Sequence, residues 1–341
     1  MGSARVAGVT RARALRTRRL GADGVREVAA CRTLDDALHY LTATAYRHDV
    51  TPGGSLAEAQ RAVTATLLWH LRILAGWQSA DGAGAVRALA AGFEISNAEG
   101  HLRTLVEPDP DQGVATAPDR ERRDGNPPYP DSLSPGRRSP PAPYRLGALA
   151  TAWARLVATR SPSETRSVLA SSLWGDPGGD SPAAVATGMR VSAAVRLAAA
   201  VPEAARWAAG RLALLVGRER FVVERAVPEV SVLRAARLLG PRAVRAQAYA
   251  EFRQALLPPA RWALEGTTEA ADLWRAEARW WTELDRDGRE LLSRSRFGSA
   301  PVVGAVAVLS ADAWHTRAAL ELASRGGGPV DRLAEVLGAP G

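Results

Sequence analysis

A chain of 341 residues, 46% hydrophobic and 23% charged, is long enough for two or three packing units and too apolar to remain disordered. Its 44 basic positions are all Arg, and this absence of Lys excludes Schiff-base, phosphate-loop and kinase-type lysine chemistry. A single cysteine, Cys31, leaves no intrachain disulfide and no Cys-rich metal site.

The formal charge of +8 would suit nucleic acid, but the Arg residues are spread among Asp and Glu at helical intervals, as on a solvated surface. No nucleic-acid partner is expected, whereas a surface facing an acidic partner or anionic headgroups stays open. Residues 1–20 carry six Arg and no acid, and no apolar run of secretory length follows them. The most apolar run, 300–309, is about half the length of a bilayer span. A cytoplasmic protein without signal peptide or transmembrane segment is expected.

In chain order, Thr33 followed by Asp36 reads as a helix N-cap, with Asp35 and Asp36 in the first turn, where acids complement the helix dipole. Leu67, Leu68, Leu71, Leu74 and Trp77 recur at helical spacing. Ten of the 22 prolines then fall within 107–143, a segment too poor in apolar residues to order itself, and its Asp109 and Asp111 read as solvated charges. Ser161, Pro162 and Glu164 mark a second N-cap. Leu273, Trp274, Trp280, Trp281, Leu284, Leu291 and Leu292 predict a long helix, whose tryptophans, like Trp262, suit core packing better than base stacking. Val302, Val303, Val306 and Val308 come nearest to a strand, but Ala and Gly dilute them. The chain reads as all-α.

An internal similarity runs through this pattern. Arg-Leu-Gly-Ala occurs at 19–22 and 145–148, and an offset of 128 sets Leu41 on Leu169, Thr44 on Ser172 and Tyr46 on Trp174. Both copies then pass through Gly and Pro into another helix. A third unit is faint beyond Pro241. Helical domains are therefore expected at 1–106, 144–240 and 241–341, with 107–143 as a Pro-rich linker or insertion.

No two of His39, His48, His70, His101 and His315 stand at metal-ligand spacing, and nucleophile-elbow, dinucleotide and catalytic-loop motifs are missing. Glu219, Glu224 and Glu229 read as surface residues. No catalytic residue, cofactor or metal is expected, which favours a scaffold or interaction protein.

Several fragments carry a resemblance to a known family. They are Thr44 and Tyr46 after a leucine-rich segment, Phe93, Glu94, Ile95, Asn97, Leu102 and Arg103 in "FEISNAEGHLR", and Phe297, Gly298, Pro301, Asp312 and Arg317 towards the end. In order and spacing the chain resembles the V-type and A-type ATPase subunit called C in prokaryotes and d in eukaryotes. Asp312 stands where the family usually has Glu, and His315 and Thr316 replace its Asn-Leu. The resemblance implies a non-catalytic funnel of three similar helical domains, related by an internal pseudo-threefold repeat. It implies a place on the cytoplasmic face of the membrane rotor ring, coupling the central stalk to the ring in proton or sodium ion transport. Arg103, Asp312, His315 and Arg317 become candidate partner contacts, and membrane contact runs only through the ring. The alternative is a helical-repeat adaptor that keeps the fold and binds another partner. A third reading is an acid/base enzyme using Glu94, His101 or His315 in a central cavity.

Overall fold

The structure, a computed structural model, describes residues 2–106, 142–293 and 298–328. The insertion expected at 107–143 lies outside the described residues except for its last two positions, and so does Phe297. Among the described residues the secondary structure is α-helix and short 3-10 turns, without a strand. The all-α class expected from the apolar spacing is what the chain adopts.

The first stretch runs through α1 (Gly2–Leu15), α2 (Gly21–Ala30), α3 (Leu34–Thr42), α4 (Leu56–Gly76), α5 (Ala80–Leu89) and α6 (Ala91–Val106). Beyond residue 141 come α7 (Trp153–Leu156), α8 (Pro162–Ala170), α9 (Pro182–Ala200) and α10 (Ala205–Phe221). The last stretch holds α11 (Glu229–Leu239), α12 (Pro241–Arg245), α13 (Tyr249–Ala255), α14 (Pro258–Arg261), α15 (Leu273–Ser293) and α16 (Ala300–Ser324).

Local chemistry sets the helix starts. The Thr33 hydroxyl accepts from Asp36 N at 3.1 Å and the Ser161 hydroxyl from Glu164 N at 3.2 Å, each satisfying a backbone donor that the first turn leaves free. Ser181 does the same for Ala184 N, and Ser55 with Glu58 forms a capping box at the start of α4. The helix ends match too. After α3 the Thr44 hydroxyl donates to Leu41 O at 2.7 Å and accepts from Tyr46 N at 3.2 Å. After α8 the Ser172 hydroxyl donates to Leu169 O at 2.7 Å and accepts from Trp174 N at 3.1 Å. Leu41, Leu169, Tyr46 and Trp174 are all buried. Ser161→Ala removes one such cap and is expected to cost about 1 kcal/mol, read as a lower urea midpoint with unchanged slope.

Packing crosses the sequence stretches. Val28, Leu38, Leu41 and Val63 of α2–α4 share a core with Leu320 and Ala323 of α16. Leu102 of α6 shares one with Leu156, Leu169, Trp174 and Met189 around α7–α9. The largest core joins Val191 of α9 and Leu212 of α10 to Leu239, Phe252 and Leu264, and reaches Val303 and Ala307 of α16. Thus α6 lies with the helices that follow the insertion, and α16 returns to the N-terminal ones. The run containing Val302, Val303, Val306 and Val308 is helical, and those four residues are buried.

Two elements meet at backbone distance. A Cβ on Gly304 would sit 2.6 Å from Gly288 O and 2.9 Å from Leu292 N, so α16 and α15 cross with only hydrogen atoms between their backbones. Among the described residues α9 alone is long and apolar enough to cross a membrane, yet Val185 and Met189 are buried in one core of the protein and Val191 in another.

Candidate functional site: a central cavity

A cavity of about 730 Å³ opens where α6, α9, α10, α15 and α16 converge. Its apolar wall includes Ile95, Ala194, Leu212, Trp207 and Val306. Its charged lining consists of Arg190, Arg211, Arg218 and Arg225, with Glu219 and Glu277. The Arg211 guanidinium pairs with Glu277 at 2.5 Å and Arg218 approaches the same carboxylate at 4.0 Å, while Arg225 pairs with Glu219 at 3.1 Å. Arg190 reaches Glu99 on α6. Three of these guanidiniums thus share the two lining carboxylates while Arg190 takes Glu99, so the four arginines exceed their three carboxylate partners by one, leaving the cavity cationic. Glu219 is a correction to its expected surface position, because Glu219 is buried beside Arg225. A spacing of five along the sequence gave no sign of that tertiary partner.

The tryptophans form structure around this space. Trp280 Nε1 donates to Trp207 O at 3.0 Å, and Trp281 stacks on Trp314 with centroids 5.5 Å apart. The lining holds no His and no Cys, and both lining carboxylates are ion-paired. Among the described residues no group of three or more His, Cys, Asp or Glu side chains is placed to hold a metal ion.

The four candidate contact residues separate. Arg103 on α6 and Arg317 on α16 are exposed. His315 is half-buried against the edge of Trp314, and burial pushes its imidazole below the usual range despite Asp285 and Asp312 nearby. Asp312 is a correction, because it is buried and its carboxylate is fully engaged within the chain. It accepts from Leu20 N at 2.9 Å, from Gly21 N at 2.8 Å and from the Tyr46 hydroxyl at 2.9 Å. Two fragments quoted separately from the sequence, the Thr-x-Tyr element and the acid of the last helix, are therefore one contact.

Glu94 repeats the arrangement. Buried on α6, it accepts from Thr151 N at 2.7 Å and Ala152 N at 2.5 Å at the start of α7. Each acid thus clamps the beginning of the short helix that opens a group, α2 or α7. Each is followed four and eight residues on by buried positions, Ala98 and Leu102 or Thr316 and Leu320. That spacing is the one sequence signal that could have linked the two acids. Asn97 adds a second clamp, its amide exchanging hydrogen bonds with Tyr144 at 2.9 and 2.7 Å. The His101 ring nitrogen bonds the Thr159 carbonyl at 3.1 Å and hydroxyl at 3.0 Å, which makes it a brace between α6 and the start of α8.

His70 on α4 is the other buried imidazole. Burial, with the Arg18 charge adding and Asp49 opposing, lowers it from 6.5 to about 4. The unfolded chain takes up this proton near 6.5 and the folded chain only near 4, so stability is expected to fall as pH drops through that window. Urea melts at pH 7 and pH 4.5 check this, and His70→Leu should flatten the difference.

Compared with known proteins, the chain matches no protein-family model and no curated sequence.

Proposed function

We propose that the chain is a non-catalytic coupling subunit of a V-type or A-type rotary ATPase, seating the central stalk on the membrane rotor ring during proton or sodium ion transport. The observation that carries this reading is the cationic cavity walled by helices from all three stretches of the chain. A socket for a rotating stalk needs stiff walls and complementary charge, and close-packed helices with ion-paired rims supply both.

In this reading α16 with α2–α4 and α6 with α7–α9 are two copies of one unit, and α10–α15 form a divergent third. Support comes from the paired buried acids, the matched caps and the matched turns. The third unit keeps fragments of the same plan. Gln247 N bonds the Glu251 carboxylate at 3.0 Å as Arg160 N bonds Glu164 at 2.8 Å. Arg220 reaches Ala246 O at 2.5 Å, as His101 reaches Thr159 O. Three such units side by side would form the funnel, on the cytoplasmic face of the ring.

Affinity purification of the tagged chain from its own cells tests the proposal. Stalk and ring subunits are expected in the eluate, and Arg218→Gln, at an exposed guanidinium 4.0 Å from a carboxylate that Arg211 already holds, should reduce stalk recovery at least twofold while leaving the melting temperature nearly unchanged. Arg103→Glu and Arg317→Glu should weaken assembly in the same assay if they face the ring. Recovery of a different helical or acidic partner, with no ATPase subunit, would replace the rotary reading by the adaptor one.

A further inference from the structure

Outside the cavity, one face combines exposed arginines with exposed aromatic surface. The chain has no acid before Asp23, and Arg11, Arg16 and Arg18 at the end of α1 and just beyond it are exposed. Helix α1 runs antiparallel along α4. The Arg11 guanidinium lies 5.4 Å over the Trp77 ring, Gly8 abuts Gln78, and seven residues further on Arg18 lies near enough for its charge to act on His70.

On the outer side of this pair, α4 and its C-cap present Trp69, Arg72, Gly76 and Trp77, all exposed. Steps of three, seven and eight residues put them on one helical face. Trp69 and Trp77 are each 50% exposed and stand about 12 Å apart along the axis, by a rise of about 1.5 Å per residue. The cavity described above includes none of these residues. The neighbouring acids include Asp285, which approaches Arg19 at 3.8 Å. Asp81 lies beyond Trp77, and Asp49 accepts the Thr66 hydroxyl at 2.7 Å next to exposed Arg47 and His48.

Half-exposed indoles are costly in water and at home in the headgroup layer of a bilayer, where the ring is buried and its N–H stays wet. Guanidiniums around them gain from the negative potential of anionic lipid. A nucleic-acid strand would need indoles spaced for successive bases, and a single acidic protein would need a shaped recess. We propose that the face formed by α1 and α4, with Trp69, Trp77, Arg11, Arg16, Arg18 and Arg72, seats the protein directly on the headgroup surface of an anionic bilayer.

This inference is independent of the stalk-and-ring reading, because it needs lipid alone. The full chain is sedimented with vesicles of phosphatidylcholine, with and without added phosphatidylglycerol. Binding at least about tenfold tighter to the anionic vesicles is expected, falling as salt is raised. Arg16→Gln with Arg18→Gln should reduce that binding at least fivefold, and Trp69→Ser with Trp77→Ser should abolish quenching of tryptophan emission by brominated lipid. The arginine pair keeps the test meaningful should the tryptophan variant misfold. Equal binding to neutral and anionic vesicles, no binding, or full binding by the folded arginine variant would overturn the proposal. So would retention on a single-stranded oligonucleotide at salt that releases the vesicles, which would assign the face to nucleic acid. Failure to recover ATPase subunits from cells leaves the vesicle result standing, so the two readings fail separately.

Discussion

Gly304→Val is expected to lower the unfolding free energy by about 3 kcal/mol or more. The added carbons would meet Gly288 O, Leu292 N and the Leu291 Cβ within 3.0 Å. Two of those three atoms are backbone and cannot rotate away, so α15 and α16 must part along their crossing. Parting them opens the core that holds Val303 and Ala307 against Leu284 and Leu291. Gly100→Ala is the control. It sits within α6 with nothing within 4 Å of the added Cβ, and replacing glycine in a helix interior should raise stability by about 0.5–1 kcal/mol. Urea denaturation of both variants measures the contrast, and equal midpoints would mean that α15 and α16 do not touch at Gly304.

Asp312→Ala is expected to cost about 3 kcal/mol. Three donors, Leu20 N, Gly21 N and the Tyr46 hydroxyl, converge on this carboxylate, and its removal leaves them without their partner in a part-buried seam. The seam joins the returning α16 to the start of α2, so the loss should also raise amide exchange in α2 while sparing α8. Tyr46→Phe alone removes one of the three bonds and should cost about 1 kcal/mol. In a double-mutant cycle the two changes should be non-additive by at least about 0.5 kcal/mol, because they share one contact. A cost for Asp312→Ala below that of Tyr46→Phe would mean the carboxylate is not the clamp.

Asp312 also illustrates what could be read early and what could not. The family resemblance singled it out and pointed outward, toward a partner. Its actual neighbours lie 291 and 292 residues away in the chain, and no periodicity encodes that separation. Arg103 and Arg317 entered as candidate contacts through the resemblance alone, and both are exposed. Glu219 was misread for the same reason Asp312 was. Its burial depends on the close approach of α9, α10 and α15, and its neutralisation on Arg225 beyond the end of α10.

By itself the sequence determined the helices, their caps and the matched turns after α3 and α8, since each rests on hydrogen bonds spanning two to four residues. Thr33, Ser161, Thr44 and Ser172 act on their own immediate backbone, whatever the rest of the chain does. Only the tertiary structure decided that α6 joins the helices beyond the insertion, that α16 closes on α2, and that four arginines from α9, α10 and the segment after it ring one cavity. Those outcomes follow from which apolar faces can be buried together at close-packed density, a condition satisfied by the whole chain at once and by no segment alone.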